Sequence, residues 1–184
     1  MKRVFDFTLS LLALIILSPL FIIVALIIKL TDNGPVFFTQ NRIGLSGSEF
    51  KIFKFRSMKI DADKLGPYYT TDNDNRITRI GKYLRRSSID ELPQLINVLK
   101  GDMSLVGPRP NVLSQKELYQ PQDWDKRNTV LPGITGLAQA SIRSDGTPEQ
   151  RLELDLFYVN NMSFLFDMKI ILMTIKQIIK KGGN

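Results

Sequence analysis

FTLSLLALIILSPLFIIVALII, residues Phe7 to Ile28, carries no charge over about 22 positions and has Ser18-Pro19 at its middle. As one helix such a run is long enough to cross a hydrocarbon core of roughly 30 Å. Split at the proline, each half measures only about 15 to 18 Å at about 1.5 Å per residue. Proline removes one backbone hydrogen bond and crowds the carbonyl four residues back, so a kink or a reversal is predicted at Ser18-Pro19. The flanks are basic on both sides: Lys2 and Arg3 before the run, Lys29 after it, then Arg42, Lys51, Lys54, Arg56 and Lys59. Positive residues mark the cytoplasmic side. Composition therefore leaves two readings open, a kinked span and a re-entrant hairpin that enters and leaves by one face. A cleaved signal peptide fits less well, because the run exceeds the usual 7 to 15 apolar residues and no small-x-small site follows it.

What remains is enough for one further domain with a core. The net charge of +7 and sequence pI of about 9.7 point to polyanionic partners, and next to an apolar insertion they favour lipid head groups or phosphorylated substrates over nucleic acid. With no cysteine and no histidine in the chain, disulfides, zinc sites built on those ligands and imidazole-based triads are excluded. Any enzyme chemistry falls to Asp, Glu, Lys, Arg or Tyr, and any metal to a hard, oxygen-bound ion such as Mg²⁺.

Asp32-Asn33-Gly34-Pro35 is turn chemistry that closes the apolar segment. Val36–Thr39 and Phe50–Met58 are predicted as two strands around the turn Gly44–Gly47. In the second, Phe53 and Phe55 alternate with Lys54 and Arg56, giving either a half-buried hairpin with a solvated face or a basic ribbon turned to membrane or phosphate. Residues 60–79 are polar and resemble a loop. Asp72-x-Asp74 echoes a calcium loop, but the glycine and closing glutamate that such a loop needs are missing. Phe164–Lys181 is a basic amphipathic helix, suited either to a head-group interface or to core packing.

The densest chemistry is LRRSSIDELPQ, Leu84 to Gln94. Two guanidiniums precede two adjacent carboxylates, Asp90 and Glu91. Ser88-Ile89-Asp90-Glu91 fits a capping box, although Pro93 would then cost a helical bond. With Asp90 as N-cap, Pro93 falls where no amide is needed. Either register puts both acids at a helix N-terminus, where phosphate also binds. Neighbours on a helix diverge by about 100°, so different roles are expected for them. Leu105 to Pro110 holds Arg109 between two prolines, a rigid guanidinium suited to bidentate phosphate binding. Pro132 to Gly136 is a second rigid turn whose amides could approach an anion.

Together KFRSM (Lys54 to Met58), RRSSIDELPQLINVLKGDMSLVGPRP (Arg85 to Pro110), LPGITGLAQ (Leu131 to Gln139) and YVNNMSFLFDMKII (Tyr158 to Ile171) make the chain resemble, essentially end to end, the bacterial sugar transferase family. These are the monotopic polyprenyl-phosphate phosphoglycosyl transferases, whose larger members carry additional N-terminal membrane helices. The resemblance implies transfer of a sugar-1-phosphate from a UDP-sugar to undecaprenyl phosphate with Mg²⁺, releasing UMP, in the first membrane step of glycoconjugate biosynthesis. It matches Asp90 to a nucleophile that forms a phosphosugar intermediate and Glu91 to its partner acid, the two also being the metal-ligand candidates. It matches Arg85 and Arg109 to phosphate-binding arginines, with Lys54 and Arg56 as further candidates. Ser18-Pro19 it matches to the break of a re-entrant hairpin.

The expectation is an α+β, mostly helical protein. Residues 1–30 form a re-entrant membrane helix-break-helix. Residues 31–184 form a catalytic domain with interfacial amphipathic helices and a small β-hairpin, on the cytoplasmic face of the bacterial inner membrane. Its partners are a UDP-sugar, undecaprenyl phosphate and the lipid bilayer, with no nucleic acid. The rival readings are one-step transfer with Glu91 as base, and a basic membrane-binding domain without enzyme activity.

Overall fold

A computed structural model describes residues 1–62, 65–66, 70, 74–142 and 146–181. The fold is α+β and mostly helical, as expected, and begins with α1, Lys2–Asp32. Among the described residues α1 is the one helix long and apolar enough to cross a membrane. It does not break at Ser18-Pro19, and helical structure continues through Pro19. The reason is local. Pro19 has no N–H to give the carbonyl of Ile15, and the Ser18 hydroxyl donates to that carbonyl instead, at 2.8 Å. Asn33 ends the helix in the left-handed region (φ 47°), with its N–H returned to the carbonyl of Lys29.

Both ends of α1 rest on the same domain. At the start, Lys2 Nζ pairs with Asp167 at 2.6 Å and donates to the Val106 carbonyl. Arg3 donates to the carbonyls of Val98 and Leu99, and buried Asp6 accepts from Ser104 Oγ at 2.8 Å. Toward the other end Val24 and Ile28 are buried against Phe55 and Leu84. The middle is bare: Leu12, Ile15, Ile16, Ile22 and Ile23 are all exposed. Covering each such side chain is worth roughly 1.5–3 kcal/mol, so this helix calls for an apolar medium along its middle.

β1 (Phe37–Ile43) and β2 (Glu49–Phe55) form an antiparallel ribbon, with Phe38 opposite Lys54 and Arg42 opposite Phe50. The predicted first strand stopped at Thr39; pairing of Gln40–Ile43 with Glu49–Ile52 carries it further. The predicted second strand ran to Met58, but the ladder stops at Phe55, and Met58 makes only an isolated bridge to Ile77. α2 (Arg79–Arg86) and α3 (Gln94–Lys100) flank a short 3₁₀ turn at Ile89–Glu91. Asn97 on α3 is fully buried. Its Oδ1 accepts from the Phe53 amide at 3.0 Å and its Nδ2 donates to the Lys51 carbonyl at 2.7 Å, serving β2 as a neighbouring strand would.

β3 (Ser104–Val106) and β4 (Gly133–Thr135) pair in parallel. Between them lie a 3₁₀ segment at Leu113–Leu118 and α4 (Pro121–Arg127). α5 (Leu137–Ser141), α6 (Pro148–Asn161) and α7 (Phe164–Lys181) complete the chain. Their core gathers Val106, Leu137, Ala140, Tyr158 and Ile170. α7 packs one side into this core, as the core-packing reading expects, and leaves other apolar residues bare. Asp167 and Ile170 are buried, while Phe164, Leu165, Leu172, Ile175 and Ile179 are exposed. Asp72 and the side chains of Lys180 and Lys181 lie outside the described residues.

Candidate active site

Asp90 and Glu91 sit on the 3₁₀ turn between α2 and α3, which differs from both helical registers expected. Ser88 takes a left-handed conformation (φ 57°) and its side chain caps nothing, so the capping box does not form. Pro93 becomes the N-cap of α3, where its missing N–H costs no helical bond. The reason lies in tertiary contacts, since Glu91 is held by groups from two other elements. Its Oε1 accepts from Lys54 Nζ on β2 at 2.6 Å and from Arg109 Nη2 at 2.6 Å, and Arg109 Nη1 lies 3.5 Å from Oε2.

Such a pairing sets the charges. Burial alone would raise the Glu91 carboxyl, but Arg109 and then Lys54 outweigh it by charge and hydrogen bonding, holding it well below the usual carboxylate range. Asp90 is the opposite case. Only 7% exposed, it is pushed up by burial and then by the neighbouring Glu91 charge, with Lys54, Arg85 and Arg109 partly offsetting. No hydrogen bond or ion pair within 4 Å engages its side chain among the described residues. One carboxylate is clamped and ionised, and the other stands beside the cations without a partner among the described residues.

Arg109 is fixed from behind. Its carbonyl accepts from Arg127 Nη2, and the buried Arg127 pairs with buried Asp155 at 2.8 Å. Gly107 and Gly133 bring β3 and β4 into backbone contact: a Cβ on Gly107 would lie 2.3 Å from the Leu131 carbonyl oxygen, and one on Gly133 would lie 2.1 Å from the Gly107 nitrogen. The Gly133 amide donates to the Pro108 carbonyl at 2.9 Å. That amide is therefore spent on shaping the Pro108-Arg109-Pro110 turn and is not open to an anion.

The chain that carries this carboxylate pair, faced by Lys54 and the proline-flanked Arg109, has relatives among known proteins. The description "Bacterial sugar transferase" matches residues 1–181. The chain belongs to the bacterial sugar transferase family. This sugar transferase is 43% identical over 182 residues to the UDP-glucose:undecaprenyl-phosphate glucose-1-phosphate transferase of Escherichia coli (strain K12), a match that covers 95% of this chain and 39% of that protein. It is 41% identical over 183 residues to the uncharacterized sugar transferase EpsL of Bacillus subtilis (strain 168), covering 100% of this chain and 89% of the relative. A third relative, 40% identical over 188 residues, is the UDP-N-acetylgalactosamine-undecaprenyl-phosphate N-acetylgalactosaminephosphotransferase of Aeromonas hydrophila (99% and 44%). The chain thus spans well under half the length of the first and third.

The remaining candidate residues of the transferase divide. Arg85 bears on Asp90 through its charge and donates to Thr70 Oγ1 at 2.7 Å. Arg56 turns away from the carboxylates. It is 4% exposed, lies 3.7 Å from Asp32 at the end of α1, and packs where a Cβ on Gly34 would collide with it. Its place is at the joint between α1 and β2. Ser18 and Pro19 lie in the exposed middle of α1, far along the chain from these groups. Sequence reasoning passed over Arg42, Asn97 and the Arg127–Asp155 pair. Nothing local to Arg127 marks it, whereas the strand position of Arg42 on the Lys54 side of the ribbon was readable once the register was known.

Proposed function

We propose that this chain transfers a sugar-1-phosphate from a UDP-sugar to undecaprenyl phosphate, releasing UMP, at the cytoplasmic face of the bacterial inner membrane. The observation that carries the reading is Asp90, without a hydrogen-bond or ion-pair partner among the described residues, beside a Glu91 clamped by Lys54 and Arg109, on a domain that both ends of an apolar helix touch. A straight span would leave one end of α1 across the bilayer from this domain. Contact at both ends favours re-entry from one face, with residues 1–30 as the insert and 31–184 as the catalytic body. The printed names of the relatives supply the substrate classes.

Attack on a phosphate diester needs its charge neutralised first. Lys54, Arg85 and Arg109 offer that here. One Asp90 carboxylate oxygen bonds to the sugar-bearing phosphorus; the phosphoanhydride bond breaks, and its electron pair leaves with UMP. An oxygen of the lipid phosphate then attacks the same phosphorus, and the Asp90–phosphorus bond breaks to restore the carboxylate. Glu91, kept ionised, suits a clamp for the two cations better than a base, since a group with so low a pKa takes up a proton poorly.

Mg²⁺ fits these residues. No cluster of three or more acidic, His or Cys ligands forms among the described residues, but magnesium often binds through one or two carboxylates plus substrate phosphates. Asp90 and the less occupied Oε2 of Glu91 would hold it, and it would supply charge neutralisation at the transferring group. The test is release of UMP from a panel of UDP-sugars by the purified protein with undecaprenyl phosphate and Mg²⁺. Absence of UMP release with every donor, across glucose, galactose and N-acetylated sugars alike, would end the proposal.

A further inference from the structure

α2 carries a stripe of charge that the chemistry above leaves unused. Arg79, Lys82, Tyr83 and Arg86 are all exposed, and their offsets of three, four and seven residues put them on one face of the helix. Tyr83, at the middle of that face, is 72% exposed. The helix contains no acidic residue. None of the three cations on this face has an ion pair or a side-chain hydrogen bond among the described residues. The fourth, Arg85, is engaged elsewhere, with Thr70 and the charge of Asp90.

The inner face of α2 fixes where this stripe lies. Leu84 is buried in one cluster with Val24 and Ile28 of α1, and Ile80, Leu20 and Phe21 pack against that cluster. At the same level α1 leaves Leu26 and Leu30 bare, each only about 3 Å along the axis from Ile28 at about 1.5 Å per residue. α2 therefore sits beside a stretch of α1 whose other side needs an apolar medium. Cations at the edge of such a medium extend their stems toward anionic groups at its surface, and an exposed tyrosine among them suits the same boundary. Anionic head groups supply the opposite charge that these cations lack within the protein. We propose that the Arg79–Lys82–Arg86 face of α2 docks on the head groups of anionic phospholipids. The helix that leads into the turn of Asp90 and Glu91 is thereby seated on the lipid surface by charge.

This rests on the insertion of α1 proposed above, and one measurement separates the two. The chain has a single tryptophan, Trp124, buried in α4, so the wild type supplies the background for Tyr83→Trp and, in the bare middle of α1, Ile16→Trp. Each full-length protein, in micelles of a neutral detergent, is titrated with phosphatidylglycerol or phosphatidylcholine brominated high on the acyl chain, which quenches indole fluorescence nearby. For Tyr83→Trp, half-quenching is expected at a mole fraction of phosphatidylglycerol at least about fivefold lower than of phosphatidylcholine, the worth of one cation near an anionic surface. Combining Arg79→Gln, Lys82→Gln and Arg86→Gln should abolish that preference, and raised salt should do so with the stripe intact. Equal quenching by the two lipids, or by neither, overturns the docking surface. Quenching that trace undecaprenyl phosphate removes, and an equal amount of plain phosphatidylglycerol does not, would assign the stripe to the acceptor and also overturn it. For Ile16→Trp both lipids should quench alike; no quenching there overturns the insertion of α1 itself. No donor or acceptor turnover enters the readout, so its outcome is independent of the transfer reaction.

Discussion

Asp90 is held in the fold at a cost, and replacing it separates stability from activity. Its carboxyl ionises above the ordinary 3.8 in the folded protein because burial, then Glu91, disfavours the charge. The folded state therefore keeps a proton that the unfolded chain gives up. This group's contribution is best below the unfolded pKa and is lost as pH rises through the folded one. Asp90→Asn should accordingly stabilise the protein at pH 7 by about 1 kcal/mol, read as a rise of about 2–4 °C in thermal unfolding. The same variant should give no mass adduct with a UDP-sugar and no burst of UMP, because an amide is a poor nucleophile at phosphorus; an active, adduct-free Asp90→Asn would hand the reaction to a one-step route. For wild type, turnover should fall on the acid side at a pH above that of an ordinary aspartate. Arg109→Lys keeps the charge but cannot span both Glu91 oxygens, and a loss of roughly 10- to 100-fold in kcat/KM is expected. Unchanged kinetics would reduce Arg109 to packing. At this scale the acids were legible as neighbours in Ile89-Asp90-Glu91-Leu92, and Arg109 by its flanking prolines. Which acid would be clamped and which free was not, because Lys54 arrives from 37 residues away in the chain.

Elements were legible where a local rule governs them and misread where a distant contact does. The ribbon and α7 follow from alternation and from helical periodicity. The short 3₁₀ turn replaced a capping box because Lys54 and Arg109 claim Glu91, leaving no side chain to reach back to Ser88. α6 was passed over although Thr147-Pro148-Glu149-Gln150 announces it: Thr147 Oγ1 accepts from the Gln150 amide and Gln150 Oε1 from that of Thr147. The helical continuity of α1 through Pro19 turns on the Ser18 hydroxyl, so removing both residues has a clear consequence. Ser18→Ala with Pro19→Leu restores a plain helical bond to the Ile15 carbonyl, and the balance should shift toward a span. The chain has no cysteine, so a cysteine tag ahead of Met1 and Gln122→Cys on the exposed surface of α4 can be labelled singly. In spheroplasts an impermeant thiol reagent should reach neither in the otherwise native protein, and should reach the tag in the doubly substituted variant. Labelling of the tag in both would remove the re-entrant reading. In β3 and β4 the close approach is a backbone matter. Gly107→Ala should cost about 1–3 kcal/mol by overpacking, measured by thermal unfolding, and should lower activity by shifting Arg109.

Across the whole molecule, chelation should abolish UMP release and added Mg²⁺ should restore it, with the thermal midpoint little changed because the described residues build no metal cage of their own. Persistent turnover in excess EDTA would assign neutralisation to the three cations alone. The class of the fold, its long apolar helix and its family were readable because each rests on stretches of contiguous sequence. The joints between them were not, since Lys2 with Asp167, Asp6 with Ser104 and Arg56 with Asp32 bring together groups that no spacing rule connects. The first of these joints has a bearing on biosynthesis. Lys2 and Asp167 are 165 positions apart, and Asp6 and Ser104 98. At the ribosome's pace of about 5–20 residues per second, roughly 5–20 s separate the making of Asp6 from that of its partner, and about 8–33 s separate Lys2 from Asp167. During that interval an apolar helix is already available to the bilayer while the charges at its foot are unmatched. The foot of α1 is therefore made long before its partners, and the contact of Lys2 with Asp167 can form only once α7 has been synthesised.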